Sequence, residues 1–458
     1  MQISALSENK QTIFWSFLLG LSSLLLHALP FLLFGRHPLG YDTGFYRRYL
    51  IEPFTSFPNT PVPGLGDDAL IVRILLDLLR FLHLPTDFIL YGTYFAFWAI
   101  LPALLFLFLK PYLHTWGAFV AGMLLIGSSI AYSGYWYFLL KNALALDFML
   151  LAFIAIERKW LLAWLALDIA LVLTHKTTAI IYILTLIVLF VFSHGRRKEY
   201  GIHIALAGLL FALVNAPTVH ELTVIVPSAV FLDWRTYTIF SFPLILAILL
   251  GRGAFRHSIV PKTLIAFASV SFLFVLLRLP FYERIFLFSD IALVALSAYG
   301  IRHLCSSLRS SWGTRNVLLP LMGLSLIVGL FFGNLWNQIT TTLPLMPDAQ
   351  IVRIEEIGKI VPVEATILTT SNEAPWFEGW TTAHIAAPGM LNDTHNLETW
   401  THLWAGTSTE EKIAFLYDFQ KPLYISTIYG LDTLLGTAPL CVEEIATDLW
   451  YVACEKEK

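Results

Sequence analysis

Apolar runs near the roughly 20 residues that carry a helix across a bilayer recur along the chain from Ile13 to Trp336. Read as helices they predict about eleven spans. These cover 13–34, 87–109, 115–133, 136–156, 160–173, 177–193, 201–216, 237–251, 262–279, 284–303 and 316–336. Between the first two, Ala69 to Leu84 alternates apolar residues with Arg73, Asp77, Arg80 and His83. Arg73, Asp77 and Arg80 are spaced three or four apart, on one helical face, which predicts an amphipathic helix lying in the membrane interface. The Pro- and Gly-rich stretch Pro58 to Gly66 before it reads as a turn-forming connection.

After Trp336 the pattern changes to that of a small α/β domain. A helix is expected over 349–360 and a strand over 366–370, then a loop rich in Trp, Thr and Pro as far as Trp404. A helix over 409–419 follows, with Thr407 or Ser408 as its cap and Glu410 and Glu411 in its first turn. Strands over 423–427, 440–445 and 450–454 complete the domain. The division expected is therefore a membrane domain, 1–336, which includes the outer loop 35–86, and a C-terminal α/β domain, 337–458.

Composition agrees with the membrane reading. The 458 residues are 57% hydrophobic and 13% charged, where a soluble chain carries about a quarter charged residues. Mean hydropathy is +0.70. A net charge of -3 with no basic tail gives no reason to expect a nucleic-acid partner. The first apolar run is followed by Phe and Arg rather than by a small-residue cleavage site, so it reads as a retained span. Basic residues at Lys110, Arg158, Lys159, Arg196, Arg197, Lys198, Arg252, Arg256, Lys262, Arg302, Arg309 and Arg315 fall on one side, which the positive-inside rule assigns to the cytoplasm. The N-terminus is then cytoplasmic and the C-terminal domain extracytoplasmic. Cys305 falls on the reducing side. Cys441 and Cys454 fall outside; a disulfide between them would close a loop of about 13 residues and add about 3 kcal/mol in the chain-entropy model, the other reading being two buried thiols.

Charged residues at or within membrane helices each ask for a partner or a role. Several gather at outer ends: Lys141, His175 and Lys176, Arg235, and Arg278 with Glu283 and Arg284. Outward basic residues run against the topological bias, which points to a bound anion. Lipid phosphate or pyrophosphate is the anion expected, since Arg grips phosphate in a bidentate fork and Lys as a point charge. In Gly40-Tyr41-Asp42-Thr43-Gly44-Phe45-Tyr46-Arg47-Arg48-Tyr49, a carboxylate precedes two arginines where the first span meets water. Asp42 suits a general base acting on an acceptor hydroxyl; otherwise it caps the following segment. Asp67 and Asp68 either begin the amphipathic helix or join Asp42 around a divalent metal (Mg or Mn). Asp147, Asp168 and Asp290 lie within spans and are expected to satisfy Lys or Arg neighbours. The tail aromatics, among them Trp376, Trp380, Trp400 and Trp404, either form the domain core or stack on sugar.

On these residues the sequence resembles the GT-C superfamily of polytopic glycosyltransferases that use polyprenyl-phosphate-linked sugars. Three loose motifs carry the resemblance: Gly40-Tyr41-Asp42 early in the first outer loop, Thr174-His175-Lys176, and Glu283-Arg284 opening a late span. The resemblance implies a GT-C-like membrane bundle with Asp42 as base. It implies a lipid-phosphate site near Lys176 and Arg284; Arg235, Arg47, Lys141 and His175 are further candidates for holding the same anion, from their charge and position. The sequence departs from members with paired acids in this loop, since Thr43 follows Asp42, and the Trp-Trp-Asp tripeptide of oligosaccharyltransferases is absent. The activity implied is inverting transfer of a hexosyl or pentosyl unit to a glycan, lipid or protein acceptor on the outer face. The alternative is a secondary transporter or lipid flippase with the intramembrane aspartates as a proton path. That class usually shows internal repeats, and none is present here.

Overall fold

A computed structural model describes residues 2–51, 70–215, 232–279, 282–312, 317–388, 399–400, 409–426, 428 and 441–453. The chain divides into two compact units, one formed by Met1–Leu29, Asp67–Val72 and Tyr91–Leu343, the other by Pro30–Gly66, Arg73–Leu90 and Pro344–Lys458.

The first unit is helical. Its elements are α1 (Gln2–Phe34), which ends beyond the unit, α4 (Thr86–Ile126), which begins before it, and α5 (Ser129–Trp136). Then come α6 (Leu140–Arg158), α7 (Leu161–Val172), α8 (Lys176–Phe192), α9 (Arg197–Asn215) and α10 (Trp234–Leu250). The short α11 (Ala254–His257), α12 (Lys262–Leu276), α13 (Tyr282–Ser310) and α14 (Leu318–Thr341) complete it. Among the described residues four helices, Asn9–Phe34, Thr86–Ile126, Tyr282–Ser310 and Leu318–Thr341, are each long and apolar enough to cross a membrane. Helices α8 and α9 pass the same test only together and meet at a bend of 113°. The chain is thus a multi-pass helical membrane protein. The spans predicted over 87–109 and 115–133 join in α4, whose backbone leaves the helical region at His114 (φ 57°), just after Pro111. Proline removes the amide that would continue the ladder, and a kink follows.

Inside this unit α13 is the most buried of the four long helices, and it packs against α10, α12 and α14. Close approach of α10 and α13 depends on Gly300, where a Cβ would overlap the Ala247 carbonyl oxygen; small residues serve membrane helix pairs in this way. On α1 and α14, by contrast, Ile13, Phe17, Leu319 and Met322 are exposed, as lipid-facing residues are.

The second unit carries a mixed five-stranded sheet in the order β2-β1-β3-β5-β4. Its strands are β1 (Thr366–Leu368), β2 (His384–Ala386), β3 (Leu423–Ser426), β4 (Val442–Ala446) and β5 (Leu449–Val452). Strand β1 runs parallel to β2 and β3, with Ile367 opposite Ile385 and Tyr424; β5 is antiparallel to β3 and β4. Helices α2 (Thr43–Ile51), α3 (Leu70–Arg80), α15 (Asp348–Ile360), α16 (Ala374–Trp380) and α17 (Thr409–Tyr417) accompany it; α3 begins within the first unit. A core of Leu368, Trp400, Phe415, Leu416, Leu423, Ile425 and Val452 lies against the sheet. The expected structureless stretch after 370 in fact contains α16 and β2. Cys441 is disulfide-bonded, while Cys454, its predicted partner, lies outside the described residues. Cys305 is a free thiol.

Candidate functional site

In the sheet-bearing unit the Asp42 motif is a helix entry. Thr43 Oγ1 donates to the Gly40 carbonyl at 2.7 Å, and the Asp42 carbonyl accepts the Tyr46 N–H at 3.3 Å, the first bond of α2. Asp42 is half-buried at that cap. The neighbouring Tyr41 donates its hydroxyl to the Ser371 carbonyl at 2.8 Å. Burial, and then the Asp42 carboxylate, hold the Tyr41 phenol above its usual range. Ser371 lies in the turn that follows β1, so this bond pins the motif near the carboxyl end of a parallel strand, where α/β sheets commonly keep their sites. Glu373 in the same turn is fully buried, takes the Thr369 hydroxyl on Oε2, and is held above the normal carboxylate range by burial.

The arginines after Asp42 are tied within the unit. Arg47 donates Nε to Asp87 Oδ1 at 2.8 Å and an amine to the Gly379 carbonyl at 2.5 Å, and its guanidinium lies 4.7 Å from the Trp380 ring centroid. Arg48 is buried and donates to the Thr381 carbonyl at 2.6 Å. These bonds fix α2 against α16, and Gly44 makes the approach possible, since a Cβ there would overlap the Pro375 carbonyl oxygen. Arg73 of the amphipathic helix lies over Tyr49 at 5.3 Å, and Arg80 pairs with Asp77 at 3.6 Å. Asp67 and Asp68 lie outside the described residues. Among the described residues no three His, Cys, Asp or Glu side chains gather as a metal site.

In the membrane unit four predicted cations share one local setting. Lys141, Lys176, Arg235 and Arg284 each fall in the first turn of a helix, α6, α8, α10 and α13. A first turn has unsatisfied N–H groups and the positive end of the helix dipole, so a cation there is unfavourable to the helix and attractive to an anion. Lys141 and Lys176 are half-buried; Arg235 and Arg284 are exposed. His175 is buried, with Nδ1 2.8 Å from the Thr178 hydroxyl, and serves to order the start of α8.

Next to Arg235 and Arg284 along the chain the structure brings together an aromatic group that sequence alone did not single out. Arg278, in the left-handed region just after α12 (φ 50°), lies 5.2 Å from the Trp234 ring, and Trp234 contacts Tyr282 at 6.4 Å and Phe286 at 6.0 Å. Tyr237 stacks on Phe286 at 4.0 Å. Asp233 caps α10, and bonds from the Thr236 hydroxyl and N–H hold its carboxyl below the usual range. The signal was present as Asp-Trp-Arg just before an apolar run, a cap followed by an interfacial Trp.

Among the described residues the intramembrane aspartates do not meet Lys or Arg as expected. Asp168 accepts the Tyr182 hydroxyl at 2.6 Å and faces His203 Nδ1 at 2.5 Å, with Trp164 stacked on His203 at 3.4 Å. Asp290 accepts the Ser128 hydroxyl at 2.7 Å. Asp147 is buried with neither oxygen hydrogen-bonded among the described residues. Hydroxyl donors serve Asp168 and Asp290, where a long cation would have to be desolvated in the bundle.

No protein-family model matches the sequence, and no curated protein matches it. Solved structures do. ArnT from Cupriavidus metallidurans in the apo state aligns with a TM-score of 0.57 at 13% identity, over 97% of this chain and 99% of that one. The same enzyme bound to undecaprenyl phosphate gives 0.56 at 12% identity over the same shares. The apo oligosaccharyltransferase from Archaeoglobus fulgidus gives 0.64 at 11% identity, over 93% of this chain and 71% of that one. The chain has the GT-C fold.

Proposed function

We propose that this GT-C-fold chain is an integral membrane glycosyltransferase that moves a hexosyl or pentosyl unit from a polyprenyl-phosphate or pyrophosphate carrier to an acceptor hydroxyl on the outer face. One observation carries the reading: the fold extends over 97% of the chain to a structure holding undecaprenyl phosphate. In this reading the helices make about eleven crossings, the N-terminus is cytoplasmic and the sheet-bearing unit is extracytoplasmic.

The step is a direct displacement with inversion. The acceptor oxygen bonds to the anomeric carbon as the bond from that carbon to phosphate oxygen breaks. The acceptor proton passes to the Asp42 carboxylate, and polyprenyl phosphate or pyrophosphate leaves with the electron pair. The membrane unit's part is to hold the leaving phosphate with Lys176 and Arg284, aided by Arg235 and Lys141. Charge-assisted bonds to phosphate are about twice as strong as neutral ones, which makes first-turn cations the right chemistry. Acceptor classes open to this reading are glycan, lipid and protein.

The test uses the full chain in lipid nanodiscs with a panel of polyprenyl-phosphate sugars and simple glycoside acceptors, following free polyprenyl phosphate by mass spectrometry. Asparagine caps helices as well as aspartate does, so Asp42→Asn removes the base and keeps the entry of α2. Turnover by wild type that falls by about 10²–10⁴-fold in the variant supports the reading; equal turnover in both removes Asp42 from it. Asp147, buried and without a hydrogen-bond partner among the described residues, favours a second reading, a proton-coupled transporter or flippase. Proton-dependent lipid movement with no release of carrier phosphate would establish that instead.

A further inference from the structure

The sheet-bearing unit contains a cleft of about 230 Å³ lined by Arg47, Glu355, Lys359, Trp380, Thr381 and Thr382. Pockets for drug-sized ligands run from roughly 300 to 1,000 Å³, so this one suits a single small ring. Glu355 and Lys359 lie one turn apart on α15 and present their heads on one face. Neither joins an ion pair among the described residues. The charge on Arg47 is already answered by Asp87 at 2.8 Å. The lining therefore balances to zero, one carboxylate against one ammonium, and an uncharged ligand matches it.

The hydrogen-bonding groups are mixed. Glu355 only accepts, Lys359 only donates, the Thr382 hydroxyl does both, and the Thr381 hydroxyl, which donates to the Phe377 carbonyl at 2.8 Å, can only accept. Trp380, 7% exposed, supplies part of the apolar wall, and the Arg47 guanidinium 4.7 Å and the His37 ring 5.1 Å from its ring hold it in place. The occupant that offers oxygen acceptors, hydroxyl donors, no charge and this size is a sugar ring.

We propose that this cleft binds one uncharged monosaccharide ring, with Glu355 and Lys359 reading its hydroxyls and Trp380 forming part of its apolar wall. Placing that ring in the acceptor rests on the glycosyltransferase reading; the binding itself does not.

The experiment is saturation-transfer NMR on the full chain in nanodiscs. The probes are the methyl glycosides of glucose, galactose, mannose and N-acetylglucosamine, with glucuronate and glucose 6-phosphate as charged counterparts. Wild type is expected to bind at least one neutral glycoside with Kd on the order of 1 mM. Glu355→Gln and Lys359→Met, both at the protein surface, are expected to weaken it about tenfold or more. Absence of any neutral binder, undiminished binding in both surface variants, or tighter binding of the charged sugars overturns the proposal. The transferase reading is scored separately by carrier-phosphate release. Glycoside binding without release sinks that reading alone, and release with no glycoside binding sinks this one alone.

Discussion

Arg47 and Asp87 meet Nε to Oδ1 at 2.8 Å, and the same guanidinium reaches the Gly379 carbonyl and covers the Trp380 ring. One side chain thus joins α2, the start of α4 and α16 within the sheet-bearing unit. Arg47→Ala removes an ion pair, a charged hydrogen bond and a cation–π contact, and it leaves the Gly379 carbonyl without that donor. A loss of about 2–4 kcal/mol is expected. Arg47→Lys keeps the charge but loses the planar fork, so it should recover less than half of that. Thermal unfolding in nanodiscs measures both. An Arg47→Ala protein that melts with wild type would mean that these contacts contribute nothing to the fold.

Gly44 and Gly379 stand face to face where α2 crosses α16. A Cβ on Gly44 would overlap the Pro375 carbonyl, and one on Gly379 would overlap the Gly44 backbone. Backbone cannot yield as a flexible side chain does, so Gly44→Ala should cost more than the 1–3 kcal/mol usual for overpacking. Limited proteolysis should then cut the segment 35–51 in the variant and spare it in wild type. Gly92→Ala, where a Cβ meets nothing within 4 Å, is the control and should behave as wild type.

The helices were legible because 3.6-residue periodicity and bilayer length leave a strong imprint on sequence; every predicted apolar segment overlaps a helix. Helix α16 was not. Ala374-Pro375-Trp376-Phe377-Glu378-Gly379-Trp380 holds Pro and Gly, which punctuate loops. Here Pro375 sits in the first turn, where its missing N–H costs nothing, and Gly379 is kept for the crossing with α2. Strand β2 is three residues long and borrows its stability from β1, so local pattern could not reveal it. The partners of Asp168 come from other helices and that of Asp290 from the cap of α5, at positions no spacing rule predicts. The first-turn setting of Lys141, Lys176, Arg235 and Arg284 could be read in outline from where charge stops and apolar sequence begins. The Arg47–Asp87 pair could not, because it joins residues 40 apart.

His37 gives the sheet-bearing unit a pH dependence. Burial lowers its pKa below 6.5, partly offset by the Asp87 and Asp348 carboxylates. The unfolded chain then binds the proton more readily than the folded one. Stability is therefore fully present above about pH 6.5 and is lost as pH falls through the lower folded value. Unfolding midpoints measured from pH 8 to pH 5 should decline in wild type and decline less in His37→Gln. Identical slopes would show that His37 does not titrate differently in the two states.

Lys176 and Arg284 are predicted to act on the donor rather than on the fold. Lys176 is half-buried and Arg284 exposed, each in a helix first turn, where a positive charge opposes the dipole. Replacing either with Met should leave thermal stability unchanged or raise it by up to about 1 kcal/mol. The same change should weaken binding of polyprenyl phosphate by about tenfold, or about 1.4 kcal/mol. Arg278→Gln tests whether the aromatic group at Trp234 takes part, since it removes the cation that covers that ring. Raising salt from 50 to 500 mM should weaken lipid-phosphate binding in wild type more than in either Met variant, because screening acts on the charges that remain. Titration with a short-chain polyprenyl phosphate, read beside unfolding midpoints, separates the two effects. Variants that lose stability while binding normally would make these cations structural and move the phosphate site elsewhere in the membrane unit.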